Sequence, residues 1–235
     1  MVEVIPAIIA KDYEELKNEI ALVRGLVPVA QIDISDGIFA KNITWPFEAE
    51  ASQAVVLDEH FRRIINEEEG MPFWEDIDFE LDLMVTDAVE NFDLYAKLGA
   101  RRIIFHLEAV GNLEEFRNFL QGIDNYVRDT IEIGVAINPS TPLEHFFPLR
   151  DETEFLQHMG NDKLSFHGVE LDEKVYGRIE MLRNKFPELP IAVDIGVNFE
   201  TAPKLVNAGA TKLVAGSAIF QGSDIMGNIK KLKEL

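Results

Sequence analysis

The chain has 235 residues, no cysteine, a hydrophobic fraction of 47% and a formal net charge of -20 at pH 7. The length suits one large domain, residues 1–235, and the apolar fraction is ample for its core. Without cysteine, disulfides, thiolate catalysis and thiolate-bound zinc are excluded. The strong negative charge repels phosphate backbones and argues against nucleic acid as a partner.

The N-terminal segment MVEVIPAIIAKDYEEL carries acidic residues where a secretory signal would carry basic ones. Nowhere does an apolar run approach the roughly 20 residues that a membrane-spanning helix needs. We therefore expect a cytoplasmic protein with no membrane partner.

Eight short apolar, β-branched runs recur along the chain, and segments of helical periodicity separate most of them. The predicted strands are 2–9, 27–34, 78–85, 101–108, 131–137, 163–170, 190–197 and 211–217. The predicted helices are 12–26, 48–70, 88–99, 113–123, 173–186 and 199–209. Eight alternating units favour a closed TIM (β/α)8 barrel with a parallel sheet. An open doubly wound sheet is the alternative, although its usual glycine-rich first turn is absent here.

Local signals mark several helix ends. Asp12 precedes the first helix and Glu15 follows three residues later, which is typical of a capping box. Gly99 and Gly209 stand where two helices should stop.

Polar residues stand near the ends of the predicted strands, which in such barrels form the active site. They are Asp33, Asp82, His106, Asn138, His167, Asp194 and the pair Gly216 and Ser217. One aspartate at a strand end is often only a helix cap, but three flanked by apolar residues indicate a functional site. His167 is either a buried core histidine or a ligand, acid or substrate contact. We expect His60, His145 and His158 on the surface.

At this point the sequence resembles a known family. The segment QIDISDGIFAKNIT is similar to the signature HxDxMDGxFVPNxT of ribulose-phosphate 3-epimerases. Further segments agree in order and spacing: PAIIAKD, ELDLMV, FHLEA, AINPSTPLE and VDIGVNFETAPKLVNAGATKLVAGSAIF. The resemblance spans nearly the whole chain. It implies an isomerase that epimerises a small phosphorylated sugar and forms a homo-oligomer, most simply a dimer.

The resemblance assigns catalytic roles to two aspartates. Asp33 and Asp194 match the family's acid and base, which move a proton through an enediolate. The family's metal ligands are these aspartates and two histidines, but Gln31 and Asp82 stand at the histidine positions. We therefore expect one of two sites. One binds a hard divalent cation such as Mg²⁺, Mn²⁺ or Ca²⁺ through Asp33, Asp82, Asp194 and Gln31. The other binds no metal, and crowding raises a carboxyl pKa.

The resemblance also implies a phosphate site and a substrate lining. Gly196, Val197, Gly216 and Ser217 match positions whose backbone N–H groups hold phosphate, although Gly216 and Ser217 could simply pack the last short helix. The matching substrate-lining residues are Ser35, Met84, His106, Asn138 and His167. Two departures stand out: Ile195 replaces a family glycine, and the family loop PGFGGQ is matched to residues 171–174.

These departures leave three functions open. The first is a sugar-phosphate epimerase or isomerase that works through Asp33 and Asp194. The second is a related enzyme of different carbonyl chemistry, although a Schiff base is disfavoured because no predicted strand ends in lysine. The third is a non-catalytic barrel that binds a phosphosugar, since fold alone does not decide function.

Overall fold

The computed structural model describes residues 2–49, 55–166 and 168–235 and contains a closed barrel of eight parallel strands. The barrel strands are β1 (Glu3–Ile8), β2 (Val29–Ser35), β5 (Asp78–Met84), β6 (Arg102–His106), β7 (Glu132–Ile137), β8 (Phe155–Met159), β9 (Ile191–Asp194) and β10 (Lys212–Ala215). A separate hairpin consists of β3 (Phe47–Ala49) and β4 (Val55–Leu57). Around the barrel the order is β1-β10-β9-β8-β7-β6-β5-β2. The predicted TIM (β/α)8 barrel is confirmed.

Helices surround the barrel and bury one apolar face against it. They are α1 (Tyr13–Val23), α2 (Glu59–Ile65), α3 (Phe92–Ala96), α4 (Leu113–Gly122), α5 (Asn125–Arg128), α6 (Lys174–Lys185), α7 (Ala202–Ala208), α8 (Ser217–Phe220) and α9 (Ile225–Lys233). Two 3-10 helices, Leu143–His145 and Phe147–Glu152, connect β7 to β8. Asp12 caps α1 by accepting a hydrogen bond from the backbone N–H of Glu15 at 2.9 Å. None of the helices in the described ranges combines the length and apolarity that a membrane span requires.

The predicted long helix 48–70 is wrong. Residues 50–54 lie outside the described residues, but on either side of them β3 and β4 pair antiparallel, with Phe47 opposite Leu57. Helix α2 starts only after Asp58, whose carboxylate accepts from the backbone N–H of Phe61 at 3.0 Å and from the indole of Trp45 at 2.9 Å. The β-branched run before Asp58 favours a strand, and the buried Trp45 contact fixes where the helix begins.

The sixth barrel strand was also misplaced by the sequence pattern. It is β8 and not 163–170, because Gln157 and His158 interrupt the apolar run and conceal the strand. Residues 163–170 belong to the loop between β8 and α6. Within that loop Ser165 and Gly168 have φ of 67° and 72°, which no strand accommodates. His167, predicted at the end of this strand, lies outside the described residues.

His158 is buried and not on the surface as expected. Its Nδ1 lies 2.8 Å from the backbone oxygen of Met159, and its Nε2 lies 2.7 Å from Nε of Arg178. The ring therefore donates through Nδ1 and accepts the arginine N–H through Nε2. Burial, assisted by the charge of Arg178, lowers the pKa of His158 to about 4. The residue is thus a neutral link between the barrel and α6.

Side chains that alternate along the strands fill the barrel interior in layers. The inner cluster contains Ile5, Ala7, Ala40, Met84, Ile104, Ala136, Phe155, Met159, Leu164, Ala192 and Val214. Toward the N-terminal end of the strands, Arg102 binds Glu80 at 2.9 Å and Glu3 at 3.0 Å. Because Asp82 stands two residues beyond Glu80 on β5, it also faces the interior, closer to the C-terminal mouth.

Gly134→Ala should destabilise the barrel, because the added Cβ would overlap the ring of Phe155. We expect the free energy of unfolding to fall by about 1–3 kcal/mol, measured by denaturant titration. The matched control is Gly177→Ala, since Gly177 is a helical residue with open space around it. There the change should be neutral or stabilising by up to about 1 kcal/mol. A stable Gly134→Ala variant would contradict this packing of the interior.

Candidate active site

Three carboxylates meet inside the C-terminal half of the barrel. Asp33 of β2, Asp82 of β5 and Asp194 of β9 each offer an oxygen, and these oxygens all lie within 4.8 Å of one another. The three side chains, hereafter the carboxylate cluster, are 0–6% exposed. They come together because each faces inward near the end of its strand, as the sequence predicted.

Gln31 links two members of this cluster. Its Nε2 donates to Oδ1 of Asp33 at 2.7 Å and to Oδ2 of Asp194 at 3.2 Å. Its Oε1 is buried and has no hydrogen-bond partner among the described residues. The amide therefore bridges the two carboxylates through its donors and leaves an acceptor free.

Asp82 is held by two further donors. Nε2 of His106 lies 2.8 Å from Oδ1 of Asp82, and Nε2 of Gln157 donates to Oδ2 at 3.2 Å. Burial alone lowers the pKa of His106, but the adjacent Asp82 outweighs it and leaves that pKa above its ordinary value. Gln157 did not emerge from the sequence because β8 was misplaced; its position two residues before Met159 on a strand would have indicated it.

Burial and crowding shift the acidity of the other two aspartates. Burial, together with the charges of Asp194 and Asp82, raises the pKa of Asp33 well above its ordinary value. Burial and the charge of Asp82 raise the pKa of Asp194 to about 7, although the backbone N–H of Ile195 donates to its carboxylate at 2.7 Å. Such perturbed carboxyl groups are typical of functional sites.

The carboxylate cluster also fits one hard divalent cation. All of its ligands are oxygen, which suits Mg²⁺, Mn²⁺ or Ca²⁺. The unpartnered Oε1 of Gln31 supplies a fourth oxygen if the amide turns over, an orientation that hydrogen-bond partners decide. A cation would also relieve the mutual repulsion that raises the two pKa values.

A cavity of about 460 Å³ opens above Asp33 and Asp194, a volume suited to a small ligand. Four residues predicted to bind phosphate line it: Gly196, Val197, Gly216 and Ser217. Met84 lines it as well, together with Met159, Ser165, Phe166 and Gly168, which sequence reasoning missed. None of the lining side chains in the described ranges is a lysine or arginine. An anion in this cavity would therefore depend on N–H and hydroxyl donors.

The turn after Asp194 is conformationally unusual. Ile195 has φ of 72° and Gly196 has φ of 75°, and a β-branched residue in this region is a genuine outlier. A Cβ on Gly196 would lie 2.5 Å from the backbone nitrogen of Leu171. This glycine therefore lets the end of the β8–α6 loop pack against the turn.

Three predicted lining residues lie elsewhere. Ser35 is buried, and its hydroxyl donates to the backbone oxygen of Asn42 at 2.6 Å. Asn138 is nearly buried, and its carbonyl lies 3.4 Å from NH2 of Arg178. His106 lines a second cavity between the loops that follow β5 and β6, beside Phe105 and Phe116. The structure thus places these residues around the main cavity and not in its wall.

The loops that follow β2 and β8 meet over the barrel mouth. These strands are four places apart in the ring of eight, so they face each other across the barrel. Ala40 and Leu164, one from each loop, belong to the inner cluster. Nδ2 of Asn42 donates to the backbone oxygen of Ser165 at 3.1 Å. We call this loop contact the roof of the site.

Comparison with known proteins identifies the family of this barrel. The family model for the ribulose-phosphate 3 epimerase family matches residues 3–220. The chain belongs to the ribulose-phosphate 3-epimerase family. Its relatives include ribulose-phosphate 3-epimerases of Bacillus subtilis, with 29% identity over 99% of both chains, and of Eremothecium gossypii, with 28% identity over 97% of this chain and 90% of the relative. These relatives are isomerases that act on carbohydrate phosphates.

Solved structures extend the likeness at the level of fold. KGPDC of Streptococcus mutans, in complex with D-ribose 5-phosphate, superposes with a TM-score of 0.68 and 14% identity, covering 99% of this chain and 96% of that one. The 3-hexulose-6-phosphate synthase of Salmonella typhimurium gives 0.64 and 15%, covering 99% and 97%. At this identity they support the barrel and not a shared activity.

In the ion-free protein, Asp194→Asn should remove a pH dependence of stability. Folded Asp194 keeps a proton up to about pH 7, whereas the unfolded side chain loses it near pH 3.8. The wild type therefore loses stability as pH rises through that range. Between pH 5 and pH 8 we expect it to lose about 2–3 kcal/mol relative to the variant.

Denaturant titrations with EDTA at both pH values measure this difference. Asp78→Asn is the control, because Asp78 lies on the same barrel but its side chain is half exposed. Wild type and Asp78→Asn should share one pH dependence. Parallel curves for all three proteins would contradict the raised pKa.

Proposed function

We propose that this member of the family is a sugar-phosphate epimerase or isomerase in which Asp33 and Asp194 exchange a proton with a ketose phosphate. The observation that carries the proposal is that these two buried carboxyl groups meet at the floor of one cavity. Their strands, β2 and β9, stand three places apart around the barrel. They therefore approach a bound ligand from different sides.

Epimerisation requires one group to remove a proton and another to return it from the opposite face. Asp33 and Asp194 supply two such groups, and Gln31 holds their carboxylates in a fixed relation through one amide. The inner cluster below and the roof above limit water around the site. The negative charge of an enediolate would develop beside these groups, so a second stabilising charge is needed.

A hard divalent cation held by Asp33, Asp82 and Asp194, with Oε1 of Gln31 as a further ligand, would polarise the ketose carbonyl and stabilise the enediolate charge. Asp82 serves here as a positioned ligand, because His106 and Gln157 fix its two oxygens.

The proposed ligand is a small phosphorylated sugar. The names of the relatives and the D-ribose 5-phosphate bound by KGPDC of Streptococcus mutans support this class. Gly196, Val197, Gly216 and Ser217 would hold the phosphate through backbone N–H groups at the far end of the cavity from the carboxylate cluster. This separation keeps the phosphate away from three negative charges.

We further propose one domain, a cytoplasmic location and a homodimer. A relative from Oryza sativa, 27% identical over 94% of this chain and 89% of its own length, is named as a cytoplasmic isoform. Two-fold dimers are the commonest assembly of soluble proteins, and light scattering of the purified chain tests that state.

Asp33→Asn and Asp194→Asn should each abolish proton exchange at C3 of D-ribulose 5-phosphate, since each removes one member of the acid–base pair. Deuterium incorporation from heavy water, followed by NMR, measures the exchange. Losses of at least a hundredfold are expected, whereas the half-exposed Asp78→Asn should retain wild-type rates. Active Asp33→Asn and Asp194→Asn variants would refute the two-base mechanism. Binding without exchange by the wild type would indicate the non-catalytic alternative.

Mn²⁺ should bind the ion-free wild type and raise its Tm, because the cation relieves carboxylate repulsion. Asp82→Asn should weaken Mn²⁺ affinity by roughly ten- to a hundredfold, measured by isothermal titration calorimetry. Gln31→His should shift preference from Mn²⁺ toward Zn²⁺, because it introduces a nitrogen ligand. Equal Mn²⁺ affinities in wild type and Asp82→Asn would place the cation elsewhere.

A further inference from the structure

Ser165 is a buried polar residue for which the fold provides no partner. The residue is 3% exposed, and its hydroxyl has no hydrogen-bond partner among the described residues. It lines the same cavity as Asp33 and Asp194. An unpartnered buried hydroxyl costs about 1–3 kcal/mol, so this position calls for a partner that arrives with a ligand.

The backbone at Ser165 is held in an unfavourable conformation. Its φ of 67° lies in the left-handed region, which glycine adopts far more easily than serine. Its carbonyl is anchored across the barrel mouth by Nδ2 of Asn42. Such strain in a buried cavity wall is commonly associated with function.

The roof contact determines which part of the cavity Ser165 faces. Because Asn42 follows β2 and Ser165 follows the opposite strand β8, their hydrogen bond spans the barrel axis. The proposed phosphate donors follow the neighbouring strands β9 and β10 at one side of the mouth. Ser165 therefore lies toward the middle of the cavity, between the phosphate end and the carboxylate cluster.

Building on the proposed function, we propose that the Ser165 hydroxyl contacts the substrate through an oxygen of the sugar chain and not through its phosphate. A hydroxyl can both donate and accept, as a sugar hydroxyl can. The contact would orient the carbon chain over Asp33 and Asp194. Ser165 thereby determines which polyol chains the site accepts.

The test compares Ser165→Gly and Ser165→Ala with the wild type. Both variants lack the hydroxyl, while only glycine also relieves the positive φ. For exchange at C3 of D-ribulose 5-phosphate, kcat/KM should fall about three- to tenfold in both variants, the loss of one neutral hydrogen bond. The inhibition constant of inorganic phosphate should stay at the wild-type value.

Glu67→Gly is the matched control, because Glu67 has φ of 63° after α2 and lies outside the wall of this cavity. It should change neither constant. Weaker phosphate inhibition in both Ser165 variants would overturn the proposal by assigning the hydroxyl to phosphate. A loss confined to Ser165→Gly would assign the effect to loop flexibility and overturn it too. Unchanged kcat/KM refutes this inference alone, whereas a wild type without turnover refutes the proposed function first.

Discussion

The mutual repulsion of three buried carboxylates is the constraint around which the site is organised. Asp33, Asp82 and Asp194 could not remain within 4.8 Å of one another in a dry interior without proton, cation or hydrogen-bond compensation. The barrel supplies amide and imidazole donors from three strands, through Gln31, His106 and Gln157. It also leaves oxygen atoms free for a cation. The same arrangement therefore accommodates both a protonated and an ion-bound state.

The loops above the carboxylate cluster depend on close backbone packing. Gly160 donates its N–H to the backbone oxygen of Asp194, and a side chain on Gly160 would collide with the carbonyl of Ile195. Gly196 gives similar access to Leu171. These contacts tie the β8–α6 loop to β9, so the residue that carries the proposed chemistry and the loop that covers it are positioned together.

Much of the fold was predictable because its signals are local. The repeated apolar runs predicted seven of the barrel strands, and the aspartates that end β2, β5 and β9 identified the heart of the site. The eighth strand, β8, escaped because Gln157 and His158 are polar for reasons visible only in three dimensions. One faces Asp82 and the other accepts from Arg178. Likewise Ser165 has meaning only once two opposite loops are seen to meet.

Ile195 has a consequence for how this sequence can change. Left-handed backbone at a residue other than glycine costs roughly 1–2 kcal/mol, and Ile195 recovers part of this by packing against the inner cluster. Globular domains are stable by only about 5–15 kcal/mol. A lineage that carries isoleucine beside Asp194 therefore retains less reserve against further destabilising substitutions than one with glycine there. Purifying selection on the surrounding core should be correspondingly stricter.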